Sequence, residues 1–579
     1  MKYMLAFFLL WLNFSSTSSN NKIIYLEPQP DANFVNVNNN IIIGFEKPIG
    51  LGEKEILSCI NVKGSRGRNY DGTAIVCGDN MKIIYKPFAP FNFNEKITIS
   101  LTGKLLKTIS RAEYKYSFNT ALRKASWNYT KSIKQEFNYQ GNSLLDPPQL
   151  TVTIDNNPSE GLFFSTPWSA GSDLVITNNN GTPNWYLHIN VLLGDFKKQP
   201  NGDLTYFDSD LNKHFEMDEN YNVVNTYYCG NGYTTDIHEL RVLNNGHALV
   251  MAYDPEIVDM SHIVSGGDTN ATVIGLIIQE IDENKNVIFQ WRSWDHFAIT
   301  DETHENLLDS VIDYVHGNAI EVDNDNNLLI SSRHIDEITK INRTTGAIIW
   351  RLGGRNNQFT FVNDPIRFSH QHAIRRIPNG NITLYDNGNF HTPHFSRAVE
   401  YSLDEINKIA TLVWQYRNNP DIYGYWGGYV QRLNGGNTLI SWGGANTTIT
   451  EVKQDGTVVF EGSYPLGVYT YRAYKFDWGN PVAVNSEANG TPKLYKLYQN
   501  FPNPFNPQTT ISFDIPKASQ TELAIFDITG RQIKKVVNEY LQSGSYKFSF
   551  DGSQLSSGLY IYRLHAGDFS AAGKMILLK

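Results

Sequence analysis

The sequence predicts an all-β protein whose centre is a six-bladed β-propeller. Three observations favour this fold class. Between residues 155 and 480, a tight turn of the Asn-Gly type recurs between apolar runs, and such turns are typical of β-hairpins. Further strand-like segments follow each hairpin, several of them containing or ending in an aromatic residue such as Trp291, Trp350 or Trp414. The repeats lie about 42 to 78 residues apart, which fits four-stranded blades with long insertions.

The composition excludes several classes of protein. The 579 residues include 58 acidic and 49 basic side chains, so there is no basic excess for a nucleic-acid backbone. Only 18% of the residues are charged and 13% are aromatic, which indicates a folded chain rather than a disordered one. Three cysteines are too few for a zinc ribbon or a disulfide-dense scaffold.

The first 19 residues have the pattern of a secretory signal peptide. Lys2 supplies the positive charge, residues 4–12 are continuously apolar, and residues 15–19 are small enough for cleavage. A membrane-spanning helix needs about 20 apolar residues, so this run is too short to be an anchor. The sequence therefore predicts a protein that is exported, with no stable membrane span.

Residues 22–120 alternate apolar and polar side chains between turn signals, for example at residues 41–45, 82–85 and 96–99. This pattern predicts a β-sandwich, and it resembles the bacterial immunoglobulin-like domains that precede secreted enzymes. Residues 121–150 are predicted to be a linker. We predict a disulfide between Cys59 and Cys77, which would stabilise this exported domain by roughly 3 kcal/mol.

A second β-sandwich is predicted at residues 495–579. It begins with a stiff segment, residues 497–507, in which Pro502, Pro504 and Pro507 exclude a central strand. This segment and the strands after it resemble the C-terminal sorting domain of the type IX secretion pathway. The resemblance implies that the secretion machinery is a partner, and that the protein passes through the periplasm and outer membrane to be secreted or held at the cell surface.

The repeats can be aligned by counting eight residues back from each turn glycine. The aligned positions are Gly194, His238, His316, His372, Gly428 and Thr470, where the third allows for two extra residues and the last comes from one further repeat step. The first strand of a propeller blade is the innermost one, so these six positions should meet at one mouth of the central channel. Three histidines among six equivalent positions predict a functional site.

Arg333 and Asn318 are expected at the same mouth, because they lie on the two strands that follow His316. Arginine favours an oxyanion such as sulfate, phosphate or carboxylate. Three imidazoles could instead bind a metal ion, although an arginine beside the ion would repel it. A neutral imidazole is also a nucleophile that can form a covalent intermediate. The carboxylate pair of a glycoside hydrolase is not evident.

Segments 316–318, 332–334 and 371–388 resemble the bacterial aryl sulfotransferases. The resemblance covers roughly residues 151–480 and implies a six-bladed propeller that moves a sulfuryl group from a phenolic sulfate ester to a phenol. It further implies a ping-pong mechanism without a nucleotide donor or other cofactor and without a metal ion. By the same resemblance His372 is the nucleophile that becomes a sulfohistidine, His238, His316 and Arg333 are catalytic, and Asn318 and Thr470 bind the substrate.

Two points differ or stay open within this resemblance. The propeller region lacks the nearby cysteine pair familiar in the family, and His370 is a rival nucleophile two residues before His372. Two other functional classes also stay open, namely a metal-dependent propeller hydrolase or lyase and a non-enzymatic surface-binding propeller. The physiological donor and acceptor cannot be read from the loops at the channel mouth.

Overall fold

The computed structural model describes residues 21–77, 79–125, 147–168, 172–189, 191–478, 495–500 and 503–578. Half of the chain is strand and 4% is helix, which confirms the all-β fold class. The predicted signal peptide and residues 126–146 of the predicted linker lie outside the described residues. None of the helices in the described part is long and apolar enough to cross a membrane. The chain divides into two compact units, residues 1–481 and 482–579.

The described residues before the linker form two sheets that share one core. Their strands and helices are β1 (Ile23–Glu27), β2 (Ile41–Phe45), α1 (Glu53–Leu57), β3 (Ile60–Gly64), β4 (Gly72–Val76), β5 (Lys82–Pro87), β6 (Lys96–Leu101), α2 (Gly103–Thr108) and β7 (Tyr114–Asn119). The strand orders are β1-β2-β5-β4 and β3-β6-β7. Ile41 and Ile43 from one sheet and Ile97 and Ile99 from the other are fully buried in the common core. The alternation in the sequence thus directs one face of each sheet inward.

The central region, residues 147–478, contains six sheets in its described part. Its strands are β8 (Thr151–Asp155), β9 (Leu162–Trp168), β10 (Ser172–Thr177), β11 (Pro183–Ile189), β12 (Leu193–Lys198), β13 (Leu204–Asp208), β14 (Lys213–Met217), β15 (Val223–Tyr227), β16 (Thr235–Val242), β17 (Ala248–Val258), β18 (Ala271–Ile281), β19 (Val287–Arg292), β20 (Val311–Asp313), β21 (Gly317–Val322), β22 (Leu328–Ser332), β23 (Glu337–Ile341), β24 (Ile348–Gly353), β25 (Thr360–Val362), β26 (His372–Arg376), β27 (Ile382–Asp386), β28 (Arg397–Asp404), β29 (Ile409–Tyr416), β30 (Tyr429–Arg432), β31 (Thr438–Ser441), β32 (Ile449–Val452), β33 (Val458–Ser463) and β34 (Tyr469–Phe476). Three 3₁₀ turns interrupt them at Met260–His262, Ser293–Asp295 and Ile299–Asp301.

Five of these sheets are antiparallel meanders of consecutive strands. They begin at β12, β16, β21, β26 and β30, and β20, β25 and β8 add a further strand to three of them. The glycines of the four regular turns, Gly202, Gly246, Gly380 and Gly436, all have positive φ, as tight hairpin turns require. The hairpins predicted from the sequence are therefore present.

The sixth sheet joins the two ends of the central region. Its order is β11-β10-β9-β34, so its first strand comes from the end of the region and its other strands come from the beginning. The first strands of the six sheets contact one another in the cyclic order β12, β16, β21, β26, β30, β34 and back to β12. We call these the six first strands; they lie at the centre of a closed, propeller-like ring.

The N-terminal part also contacts the central ring, through β1 and the segment that follows it. The hydroxyl of Tyr25 on β1 donates to the backbone carbonyl of Gln290 on β19 (2.7 Å) and accepts from its backbone N–H (2.8 Å). The amide of Gln290 donates to the carboxylate of Glu27 (2.6 Å), and the guanidinium of Arg292 donates to the backbone carbonyl of Asn33 (2.7 Å). These buried polar contacts fix the N-terminal part against the outer strand of one sheet.

The second unit is a pair of sheets around its own core. Its strands are β35 (Lys496–Leu497), β36 (Gln508–Ile515), β37 (Ser519–Asp527), β38 (Gln532–Leu541), β39 (Gly544–Asp551), β40 (Gly558–Ala566) and β41 (Phe569–Leu577). In the described part, one sheet has the order β35-β36-β39 and the other has the order β38-β37-β40-β41. Phe513 and Leu564 are among the fully buried residues between them.

The predicted disulfide is not formed, which corrects the sequence-based expectation. Cys59 and Cys77 are both free thiols, as is Cys229. The side chain of Cys59 is buried in the core of the N-terminal part, whereas Cys77 packs against the core of the central ring. The two sulfur atoms therefore belong to different hydrophobic cores, a separation that the sequence distance alone does not reveal.

Candidate functional site

The structure brings the predicted histidines together at the start of neighbouring first strands. The imidazole rings of His238 and His316 lie 5.2 Å apart between centroids. The ring of Tyr471 contacts both His238 (5.2 Å) and His372 (6.2 Å) and so links the two. His334, next to Arg333, lies 4.6 Å from His316. We call His238, His316, His334, His372 and Arg333 the histidine cluster.

Irregular strand pairing turns these side chains toward one place. The register of five of the six first strands shifts near its beginning, as it does after Gly317 in β21 and after His372 in β26. The backbone of His316 and of Ala373 also has positive φ. Bulges of this kind bend a strand locally and re-aim a side chain, and they are common next to active sites.

In each of the three predicted histidines, Nδ1 lies within hydrogen-bonding distance of a neighbouring polar side chain. His238 Nδ1 lies 2.6 Å from the carboxylate of Asp236, and His316 Nδ1 lies 2.8 Å from the carboxylate of Asp313. His372 Nδ1 lies 2.8 Å from the amide oxygen of Asn387. In His316 and His372, where Nδ1 is engaged, Nε2 is the nitrogen that remains for chemistry.

Arg333 is also fixed by its neighbours. Its Nη1 donates to Nε2 of His334 (2.6 Å), and its Nη2 donates to the backbone carbonyl of Tyr425 (3.3 Å). His334 in turn donates from Nδ1 to the backbone carbonyl of Asp313. Asp313 therefore orients His316 through its carboxylate and Arg333 through its carbonyl and His334.

Two histidines of the cluster, His316 and His372, are kept neutral because their pKa values lie well below the usual value. Burial lowers the pKa of His372 well below its usual value, and the nearby positive charge of Arg333 lowers it further. The pKa of His316 is lowered by burial first and by His238 and Arg333 next. A neutral imidazole beside a guanidinium suits the binding and attack of an anion.

Asn318 and Thr470 are fully buried, and their polar atoms bind backbone. The amide of Asn318 donates to the carbonyl of Gln371 (2.9 Å) and accepts from the N–H of Ala373 (3.2 Å), so it holds the backbone on both sides of His372. The hydroxyl of Thr470 donates to the carbonyl of Arg472 (2.9 Å). Direct contact of Asn318 and Thr470 with substrate stays a prediction.

His370 lies in a different environment from His372. Its ring contacts His304 (5.5 Å) and His334 (5.4 Å), and its Nδ1 lies 3.2 Å from the amide nitrogen of Asn389. Its Nε2 is buried and makes no hydrogen bond within the described part of the chain. The rival nucleophile therefore borders the cluster at His334, on the side of His304 and Asn389.

One group among the described residues has the composition of a metal site. Ligand atoms of Asp313, His316 and His334 all lie within 4.8 Å of one another. These atoms already bind each other, and the guanidinium of Arg333 donates to Nε2 of His334. A divalent cation here would have to displace that bond and tolerate the positive charge of Arg333, so the donor set fits an anion better.

A buried ion cluster fills the centre of the ring beside the histidine cluster. Its members, which come from four of the first strands, are Asp195, Lys197, Glu239, Arg375 and Arg472. Arg472 also donates to the backbone carbonyls of His238 (3.2 Å) and Asn318 (2.6 Å). The ion cluster thus ties the strands that carry the histidines to one another.

Sequence reasoning missed four residues of this site: Asp236, Asp313, Asn387 and Tyr471. The two aspartates lie two and three residues before their histidines, so the Asp-x-His and Asp-x-x-His spacings could have identified them. Tyr471 is the neighbour of the predicted Thr470. Nothing in the sequence marks Asn387, because its contact with His372 depends on the pairing of β26 with β27.

Comparison with known proteins gives two family matches. Residues 149–475 match the arylsulfotransferase (ASST) family, and residues 499–578 match the secretion system C-terminal sorting domain. The second match is to the type IX secretion sorting domain, and it indicates export to the cell surface or secretion. No curated protein matches the chain.

Two of the solved structures that are similar to this chain show low identity and low TM-scores. A protein of unknown function from Bacteroides caccae has 13% identity and a TM-score of 0.35, and the match covers 57% of this chain and 99% of that one. Virginiamycin B lyase from Staphylococcus aureus has 11% identity and a TM-score of 0.30, covering 55% of this chain and 89% of that one. The family match extends over more than half of the chain and over every residue of the histidine cluster, and the chain therefore belongs to the arylsulfotransferase family.

Proposed function

We propose that this protein is an exported aryl sulfotransferase with a six-bladed propeller, and that it transfers a sulfuryl group from a phenolic sulfate ester to a phenol through a sulfohistidine. The observation that carries the proposal is the set of three imidazoles, each held at Nδ1, around a fixed arginine. The cyclic contact of the first strands supports six blades. The family match supports the sulfuryl chemistry.

In the first half-reaction, the Nε2 lone pair of His372 forms a bond to sulfur. The bond between sulfur and the aryl oxygen breaks, and its electron pair leaves with the phenolate. The imidazole of His238, whose Nδ1 contacts the carboxylate of Asp236, gives that oxygen a proton. Arg333 holds the sulfuryl oxygens, which carry the charge of a loose transition state.

The second half-reaction reverses these steps with another phenol. The imidazole that gave up its proton takes one from the acceptor hydroxyl, whose oxygen then bonds to sulfur. The bond between sulfur and His372 breaks, and its electron pair returns to Nε2. All atoms and charges balance without a nucleotide or any other cofactor, and two separate half-reactions give ping-pong kinetics.

Exposed aromatic side chains beside the cluster support an aryl substrate. Phe390 is half exposed and contacts the ring of His370 at 4.8 Å. Tyr425, whose carbonyl accepts from Arg333, is also exposed. A phenyl group can stack on Tyr425 or on the face of Phe390 that does not stack on His304.

The test is incubation of the purified protein with 4-nitrophenyl sulfate, with and without phenol. We expect release of 4-nitrophenol that accelerates with phenol, together with phenyl sulfate as the second product. Mass spectrometry should find one sulfuryl group on the peptide that contains His372, and it should be lost in His372→Gln and retained in His370→Gln. An adduct that persists in His372→Gln assigns the nucleophile to another residue.

Two other outcomes separate the alternative functions. Release of 4-nitrophenol that stops on chelation and returns with added metal ion would indicate a metal-dependent hydrolase. Binding of the sulfate ester with neither product nor adduct would indicate a binding protein.

A further inference from the structure

Three histidines of the site are held at Nδ1, but the groups that hold them differ in chemistry. Nδ1 of His238 contacts the carboxylate of Asp236, and Nδ1 of His316 contacts the carboxylate of Asp313. Nδ1 of His372 instead contacts the amide oxygen of Asn387. A carboxylate can share or accept a proton, whereas an amide oxygen accepts a hydrogen bond and leaves the proton where it is.

The orientation of the Asn387 amide is fixed by its other contacts. Its nitrogen donates to the backbone carbonyls of Gly424 (2.7 Å) and Gly427 (3.1 Å). Since both N–H bonds have carbonyl acceptors, the amide oxygen has to be the atom that faces His372. His372 must then carry its proton on Nδ1, and Nε2 keeps its lone pair.

A carboxylate is close by but is held away from this ring. Asp386 precedes Asn387, and its carboxylate accepts from Arg397 Nε (2.8 Å) and from the backbone N–H groups of Ser369 (3.0 Å) and Gly388 (3.1 Å). The nearby charge that acts most on His372 is the guanidinium of Arg333, and the imidazoles of His238 and His316 are its titratable neighbours. None of these groups can take the proton from Nδ1 of His372, because the side chain of Asn387 occupies that position.

We propose that Asn387 is a positioning residue that keeps the Nδ1 proton on His372 throughout the reaction and thereby keeps the sulfohistidine reactive. This inference rests on the proposed function. When Nε2 bonds to sulfur while Nδ1 retains its proton, the ring is positive and the sulfonate is negative. Cleavage of the N–S bond then returns its electron pair to a ring that becomes a neutral imidazole, which is a good leaving group.

Loss of the Nδ1 proton would change the second half-reaction. The ring of the adduct would be neutral, and cleavage of the N–S bond would have to expel an imidazolate anion, which is a poor leaving group. A carboxylate at position 387 could accept that proton and leave a stable, unreactive sulfo-imidazole. An amide at this position avoids the trapped state.

The test separates the two half-reactions in the full-length protein. Asn387→Asp is compared with wild type and with Asn245→Asp, a control that adds the same charge at an exposed turn. Adduct formation is followed by mass spectrometry after mixing with 4-nitrophenyl sulfate. Adduct loss is then followed after removal of the donor and addition of phenol. We expect Asn387→Asp to form the adduct within about tenfold of the wild-type rate but to lose it on the order of 10²-fold more slowly, the scale of one misplaced proton transfer.

The other outcomes are also decisive. Equal slowing of both half-reactions in Asn387→Asp, or an unchanged rate of adduct loss, would overturn the inference. If wild type forms no adduct at all, the proposed function fails, and this inference fails with it. If Asn387→Asp does not fold, nitrogen NMR of wild-type protein labelled with ¹⁵N-histidine decides the question, with the His372 signals assigned by their loss in His372→Gln. A proton found on Nε2 rather than Nδ1 would refute the inference.

Discussion

Replacing Asn318 with leucine should loosen His372 without touching any reacting group. The amide of Asn318 bonds the carbonyl of Gln371 and the N–H of Ala373, and all of these atoms are buried. Leucine has a similar shape but no polar atoms, so the N–H of Ala373 loses its partner and the carbonyl of Gln371 keeps only the long bond from the Ser331 hydroxyl (3.4 Å). One buried unpaired group costs about 1–3 kcal/mol, and the substitution should lower the free energy of unfolding by at least about that amount.

The matched control is Gln199→Leu. Gln199 joins two other first strands in the same way, by donating to the carbonyl of Leu240 (3.2 Å) and accepting from the N–H of Val242 (3.1 Å). Both variants should lower the urea midpoint, but only Asn318→Leu should reduce kcat, by about 10²-fold for a nucleophile displaced by roughly 1 Å. Equal kcat values in the two variants would refute a positioning role for Asn318. An unchanged midpoint in both would show that these amide bridges contribute little to stability.

Three further predictions concern charge, export and thiols. Arg333→Leu should lower kcat/KM by about 10²–10³-fold, the loss seen when one preorganised oxyanion donor is removed. Because the charge of Arg333 lowers the pKa of His372, Arg333→Leu should also shift the acidic limb of the pH–rate profile to higher pH. Arg333→Lys keeps the charge, so it should weaken the binding of the sulfuryl oxygens but leave the acidic limb in place. A shift of the acidic limb to lower pH in Arg333→Leu would contradict this. Deletion of residues 495–579 should leave an active protein in the periplasm, and equal surface or medium levels with and without these residues would contradict the sorting role. Titration of denatured, unreduced protein should find three thiols, since all three cysteines are free in the structure, and a single thiol would mean that a disulfide forms.

The positions of the three histidines were predictable because repeat arithmetic fixes the start of each first strand. His238 and His316 lie in ring contact, and His372 begins β26, as the eight-residue count predicts. Their partners were harder to predict. Asp236 and Asp313 lie close to their histidines in sequence, but only the bulged backbone shows that the carboxylates turn back onto the rings.

Other features depend on pairing that a linear pattern does not encode. The side chain of Thr470 reaches backbone, while its neighbour Tyr471 reaches the histidines, because the register of β34 shifts after Thr470. For Tyr471 the error is a choice of face, because a shift of one residue along a strand reverses the face. Cys59 and Cys77 were paired because they share a domain, but they pack into different hydrophobic cores.

The sheet that joins β9 to β34 also determines when the enzyme can become active. Trp168 pairs with Tyr469, about 300 residues later in the chain, and the histidine cluster includes contacts to Tyr471 on that last strand. A nascent chain therefore has no complete site until nearly the whole central region has been made. Contacts between such distant segments form slowly because a long loop must close first. Late closure of the ring delays the completion of the site, and this delay suits a protein that is exported to the cell surface or secreted.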